Sequence, residues 1–86
     1  MDAPQIAPEQ CRAARALLGW SQDDLSEKAK VAKKTLQLFE LGKRNPYAQT
    51  LEALRQALER GGVEFIAENG GGPGVRLAKR KGRAKR

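Results

Sequence analysis

The sequence predicts a mostly α-helical domain of four to five short helices, closed by a small C-terminal β-hairpin. Three observations carry that prediction. Apolar residues recur at three- and four-residue spacing from about residue 8 to residue 60, glycines and an Asn-Pro pair cut this pattern into segments of helical length, and after Gly61-Gly62 the pattern changes to alternation around a glycine-rich turn. The chain has 86 residues, enough for one domain, and a chain this short buries only roughly 60% of its unfolded surface, so a second copy would add stability.

Residues 1–7 read as a short polar arm with Ile6 as an anchor. Pro8, suited to a first helical position, and Glu9 near the positive helix end start a helix that runs to Leu18 and stops at Gly19, with Cys11, Ala14, Leu17 and Leu18 as its apolar stripe. Ser21 is placed as the N-cap of a second helix, with Asp23 and Asp24 in its first turn, and Trp20 before it is positioned for a staple contact. Leu25 and Ala29 lie one turn apart, Val31 falls in a tight turn, and Leu36 and Phe39 are three apart, giving helix, turn, helix within Gln22–Leu41. Gly42 is placed to end the third helix in a left-handed conformation. Asn45-Pro46 marks a loop, after which Thr50 is expected to cap a helix carrying Leu51, Leu54 and Leu58. Val63-Glu64-Phe65-Ile66 and Val75-Arg76-Leu77 have strand composition on either side of Asn69–Gly74. That glycine-rich stretch reads as a hairpin turn, because neither a helix nor a Gly-Lys-Ser/Thr follows it, as a phosphate loop would require.

Charge is more informative by location than by total. The net charge is +7, but residues 79–86, KRKGRAKR, hold six of the 17 basic residues and no acid, leaving residues 1–78 with 11 basic against 10 acidic, or +1. Within that near-neutral body, Lys28, Lys30, Lys33, Lys34, Lys43 and Arg44 face Glu40 alone between residues 28 and 44. A local excess of this kind suits contact with nucleic-acid phosphates. On charge pattern alone a solvated helix face is the favoured reading of these lysines.

Other function classes are disfavoured. There is no histidine, no Cys/His/carboxylate set at metal-ligand spacing, and Cys11 has no histidine to serve as base, so no catalytic residue, metal or cofactor is expected. A single cysteine excludes an intramolecular disulfide and fits a cytoplasmic protein, and Cys11 reads as a core thiol. No apolar run approaches the roughly 18 residues of a membrane span.

Residues 9–60 resemble the Xre family of phage-repressor-like helix-turn-helix domains, the lambda Cro/cI type. The resemblance rests on Arg15, Ser21-Gln22, Thr35-Leu36, Glu40-Leu41-Gly42, Pro46 and Thr50-Leu51 taken together. It implies a sequence-specific, DNA-binding transcriptional regulator whose third helix enters the major groove of double-stranded DNA. The family's base-contacting positions fall on Lys33, Lys34, Gln37 and Leu38, while Leu38 also reads as a core residue between Leu36 and Phe39. Gln22 matches a position that holds a phosphate beside a helix N-terminus, and Lys43 and Arg44 in the next loop are further phosphate candidates. Arg15 and Glu40 match a pair that bridges helices 1 and 3 in some relatives. Three positions depart from the family. Ser26 stands where Ala is usual, Lys30 where Gly is usual in the turn, and Ala32 where Ser or Thr would cap helix 3; the last two are each expected to cost about 1 kcal/mol.

The expected organisation is an arm at 1–7, a helix-turn-helix domain at 8–60, a hairpin at 61–78 that serves dimerisation, and a disordered basic tail at 79–86, which reads either as a solvated end without a partner or, in preference, as a source of sequence-independent phosphate contacts. A homodimer on a palindromic operator is expected, because two-fold proteins read half-sites about 34 Å apart. Val63, Phe65, Val75 and Leu77 form one apolar face of the hairpin and are the candidate interface, with open strand edges to pair between subunits. The alternative is a hairpin folded over its own helices. A protein-binding module is the competing function, either a HipB-like antitoxin or an anti-activator derived from the same fold, with a regulatory protein as partner.

Overall fold

A computed structural model describes residues 5–78. The basic tail and the first four residues of the arm lie outside the described residues. Within them the chain forms α1 (Pro8–Leu18), α2 (Gln22–Ala29), α3 (Lys33–Glu40), α4 (Ala48–Gly61), β1 (Val63–Ile66) and β2 (Gly74–Leu77). The two strands pair antiparallel, with Val63 opposite Leu77 and Phe65 opposite Val75.

Local chemistry sets the helix ends. Ala7 has no side chain that can cap α1, so Gln10 reaches back and accepts the Ala7 N–H at 2.8 Å. Gly19, at φ 72°, closes the helix, with the Gly19 N–H donating to the Ala16 carbonyl at 3.2 Å and the Trp20 N–H to that of Arg15 at 2.9 Å. Ser21 and Asp24 form a reciprocal cap at α2: each backbone N–H donates to the other's side chain at 2.9 Å. At the far end of α2, Lys30 takes the left-handed conformation (φ 58°, ψ 45°) that the turn demands. Ser26 supports that turn, because its hydroxyl donates to the Val31 carbonyl at 2.7 Å and its carbonyl accepts the Val31 N–H at 3.1 Å. An alanine at this position would keep the backbone bond and lose the hydroxyl's. Ala32 leaves α3 without a side-chain cap.

The start of α4 corrects the sequence reading. Thr50 lies inside the helix, whose N-cap is Tyr47. Tyr47 follows Pro46 in extended conformation (φ −61°, ψ 155°), and its carbonyl accepts the N–H groups of Thr50 and Leu51 at 2.9 and 3.1 Å. The first carbonyl aligned along the axis, rather than a capping hydroxyl, starts the helix.

Leu25, Leu36, Leu54, Leu58 and Cys11 are the largest fully buried side chains, in one core with Ile6, Ala14, Ala29, Val31, Phe39, Leu51, Ala57 and Val63. All four residues assigned to pack the helix-turn-helix, Leu25, Val31, Leu36 and Phe39, are in this core. Leu17, placed in the α1 stripe by its spacing, is instead 42% exposed at the helix's end. Trp20 lies over the end of α4, where Gly61 makes room: a Cβ there would sit 2.5 Å from the indole.

The hairpin pairs within one chain and rests on α1 and α4 of that chain. Val63 is buried, Phe65 and Val75 pack partly against the helix core, and Leu77 remains 45% exposed. Of the face expected to form an intersubunit contact, Val63 thus belongs to the chain's own core and Phe65 and Val75 only in part. The reason lies in α1: Gln10 donates to the carbonyls of Gly74 at 2.8 Å and Ile66 at 3.4 Å, tying the hairpin's turn end to the first helix. Glu64 and Arg76 pair at 3.1 Å on the outer face.

Candidate nucleic-acid interface

The outward side of α3 and the ends of the elements beside it form the candidate interface. Lys33 and Lys34 are exposed in the first turn of α3, while Gln37 and Leu38 are half-buried one turn on. Leu36 and Phe39 on the opposite side fix the helix to the core. Leu38 thus occupies a boundary position, neither in the central core nor fully in solvent. Its carbonyl accepts the N–H groups of Lys43 at 2.8 Å and Arg44 at 3.2 Å, so the loop carrying both cations is folded back onto the end of α3. The side chains of Lys43 and Arg44 are exposed, and the Arg44 guanidinium donates to Thr35 Oγ1 at 3.4 Å.

Behind this face, Glu40 is the centre of a buried polar cluster. It is 2% exposed and accepts hydrogen bonds from four atoms of three side chains. Arg15 Nη2 reaches Oε1 at 2.7 Å and Arg15 Nε reaches Oε2 at 2.8 Å, a two-point contact from α1. Gln22 Nε2, from the first position of α2, donates to Oε1 at 3.0 Å, and the Cys11 thiol donates to Oε2 at 3.1 Å. Arg12 donates to the backbone carbonyl of the same residue, and Arg15 Nη1 also donates to the Trp20 carbonyl at 3.1 Å. One carboxylate therefore joins α1, the start of α2 and the end of α3.

Electrostatics follow from that geometry. Burial opposes ionisation of Glu40, but the hydrogen bonds from Arg15, Gln22 and Cys11 outweigh it and hold the carboxyl below its ordinary range. The hydrogen bond to Glu40 raises the Arg15 guanidinium in turn. Burial, followed by the bond to the anionic Glu40, pushes the Cys11 thiol far above its usual range. Cys11 is consequently a neutral donor, consistent with a core thiol and opposed to a nucleophile.

Sequence reasoning gave Gln22 a phosphate and Arg15–Glu40 a bridge as separate assignments, whereas the structure places both in one cluster. Gln22 retains a second N–H that Glu40 does not take. Arg12 and Cys11 were not connected with Glu40 from the sequence. Arg12 and Arg15 are three apart on one helix face, which is the available signal for a shared partner. A further contact, Lys33 Nζ to Asp23 Oδ1 at 2.8 Å, links the first turns of α3 and α2. Val63, Phe65, Val75 and Leu77 lie on the hairpin, apart from this cluster.

Among the described residues no group of three or more His, Cys, Asp or Glu could hold a metal ion. No helix among them is long and apolar enough to cross a membrane. A family model described as Helix-turn-helix matches residues 12–65, more than half of the chain. No curated protein matches the sequence significantly. The chain belongs to this helix-turn-helix family, of the Xre and Cro/cI type, whose domains are DNA-binding regulatory modules.

Proposed function

We propose, with membership of this family as the premise, that the chain is a sequence-specific transcriptional regulator that inserts α3 into the major groove. The observation that carries this reading is the two-sided character of α3. Lys33, Lys34 and Gln37 are presented outward from a helix whose rear is fixed by Leu36, Phe39 and the Glu40 cluster. Lysine can donate to guanine O6 and N7, glutamine can pair with adenine, and Leu38 at the boundary can touch a thymine methyl. The free N–H of Gln22, with Lys43 and Arg44, supplies the phosphate contacts that set the helix in register without reading sequence.

The regulator acts in the cytoplasm as a homodimer on a palindromic operator. Residues 8–60 form its reading domain and the hairpin at 61–78 brings two copies together. Because Phe65 and Val75 pack partly on the chain's own helices, the contact falls to the free strand edges and the exposed Leu77. Sedimentation of Leu77→Asp tests this assignment: the variant should be a folded monomer, and a folded dimer would exclude the hairpin rim.

The test of function is selection of bound sequences from random double-stranded DNA, followed by gel shifts at graded salt. The expected result is an enriched palindrome with half-sites about one helical turn apart. Absence of binding at low salt would overturn the regulator reading and leave a protein-binding module in its place.

A further inference from the structure

We infer that Asp23 is a specificity-determining residue of the interface, acting by holding Lys33 and withholding its charge from phosphates. The inference rests on the DNA-binding reading above.

The two acids at the start of α2 have different work. Asp24 accepts the Ser21 N–H in the helix cap, and that bond is the main cause of its lowered pKa. Asp23 has no part in the cap. Its Oδ1 instead lies 2.8 Å from Lys33 Nζ on the next helix, with both side chains well exposed, at 73% and 48%. An ion pair this open adds little to folding, so its consequence lies in where it puts charge. It lies beside Gln22, at the helix N-terminus that would meet a phosphate.

An ammonium group has three donors. In contact with arbitrary DNA, Asp23 neutralises Lys33 and its carboxylate repels the nearest phosphates, so one cation fewer takes part in sequence-independent binding. At a matched site Lys33 can donate to a guanine edge while still donating to Asp23, which then aims the ammonium instead of competing for it. Without Asp23 the flexible lysine is free to follow phosphates on any sequence.

The experiment compares Asp23→Asn with the parent protein on the selected operator and on random DNA, over a range of salt. Affinity for random DNA should rise about fivefold, with a salt slope steeper by about 0.9, as expected for one added phosphate contact. Affinity for the operator should stay level or fall, so the specificity ratio drops about fivefold or more. Asp23→Glu should restore the ratio. Glu27→Gln, the same charge change at an exposed position further along α2, should leave it intact. In a Lys33→Met background Asp23→Asn should no longer alter the ratio, a dependence that a merely structural role for Asp23 would not produce.

If the parent protein discriminates its operator and Asp23→Asn keeps the same ratio, or changes it no more than Glu27→Gln, the role of Asp23 is overturned while the DNA-binding reading stands. If the parent protein binds no DNA at low salt, both are overturned.

Discussion

The two ends of α3 are built on opposite principles. Its C-terminal end is fixed by Glu40, which is nearly inaccessible to solvent and bonded to Arg15, Gln22 and Cys11, with Arg12 on its carbonyl. Its N-terminal end has no capping side chain, follows a lysine in left-handed conformation, and is joined to α2 by one exposed ion pair. The difference teaches that an eight-residue helix can be fixed from one end while the other is left exposed. A buried anchor and an exposed end need not be the same residues.

The largest effect should come from breaking the anchored end. Glu40→Ala leaves the Arg15 guanidinium, the Gln22 amide and the Cys11 thiol without their acceptor, and removing one partner of a buried pair costs about 3 kcal/mol. Denaturant unfolding should show a lower midpoint at unchanged slope, together with weakened DNA binding. An unchanged midpoint would mean that the cluster does not hold α3.

The same cluster predicts stability losses toward both pH extremes. Glu40 has a depressed pKa in the folded state, so its contribution is complete above the unfolded value of about 4.3 and is lost as pH falls through the folded value. Cys11 has a raised pKa, so the folded state retains a proton that the unfolded thiol releases, and stability declines once pH rises above about 8.5. Thermal melts across pH should show the alkaline decline in the parent protein and not in Cys11→Ala. The thiol should also resist alkylation under native conditions until the chain unfolds.

Changes at the open end should be smaller and favourable. Ala32→Ser supplies the missing cap at an extended residue (φ −57°, ψ 136°) and should add about 1 kcal/mol. Lys30→Gly relieves the left-handed conformation at φ 58° and should add up to about 1 kcal/mol, offset in part by the greater freedom of glycine when unfolded. Equal gains from Ala32→Ser and from a serine at a mid-helix position would show that capping is not the cause.

The contrast between the two ends also marks what the sequence made legible. Gly19, Ser21, Gly42 and the 3.6-residue spacing of Leu25, Ala29, Leu36 and Phe39 act on neighbours a few positions away, so the helices and their order were readable. Lys30 and Ala32 stood out for the same reason, as local departures from what a tight turn and a helix start require. Gln10 was not readable as the tie to the hairpin, since its partners are 56 and 64 residues away and leave no periodic trace. The inward reach of Gln22 was hidden likewise, because a polar residue at a helix start looks the same whether it faces solvent or Glu40. Arg15 and Glu40 were joined only through resemblance to a family, as nothing in their 25-residue separation would pair them.

In the proposed function the outward residues of α3 read bases while the loop beyond it holds phosphates. Operator preference and salt slope measured side by side for Gln37→Ala and Arg44→Ala test it most directly. Gln37→Ala should relax discrimination at one base pair by about 1–3 kcal/mol and leave the salt slope alone. Arg44→Ala should weaken binding to all sequences and flatten the slope by about 0.9. If Gln37→Ala leaves every position of the preferred site unchanged, α3 is not the reading helix.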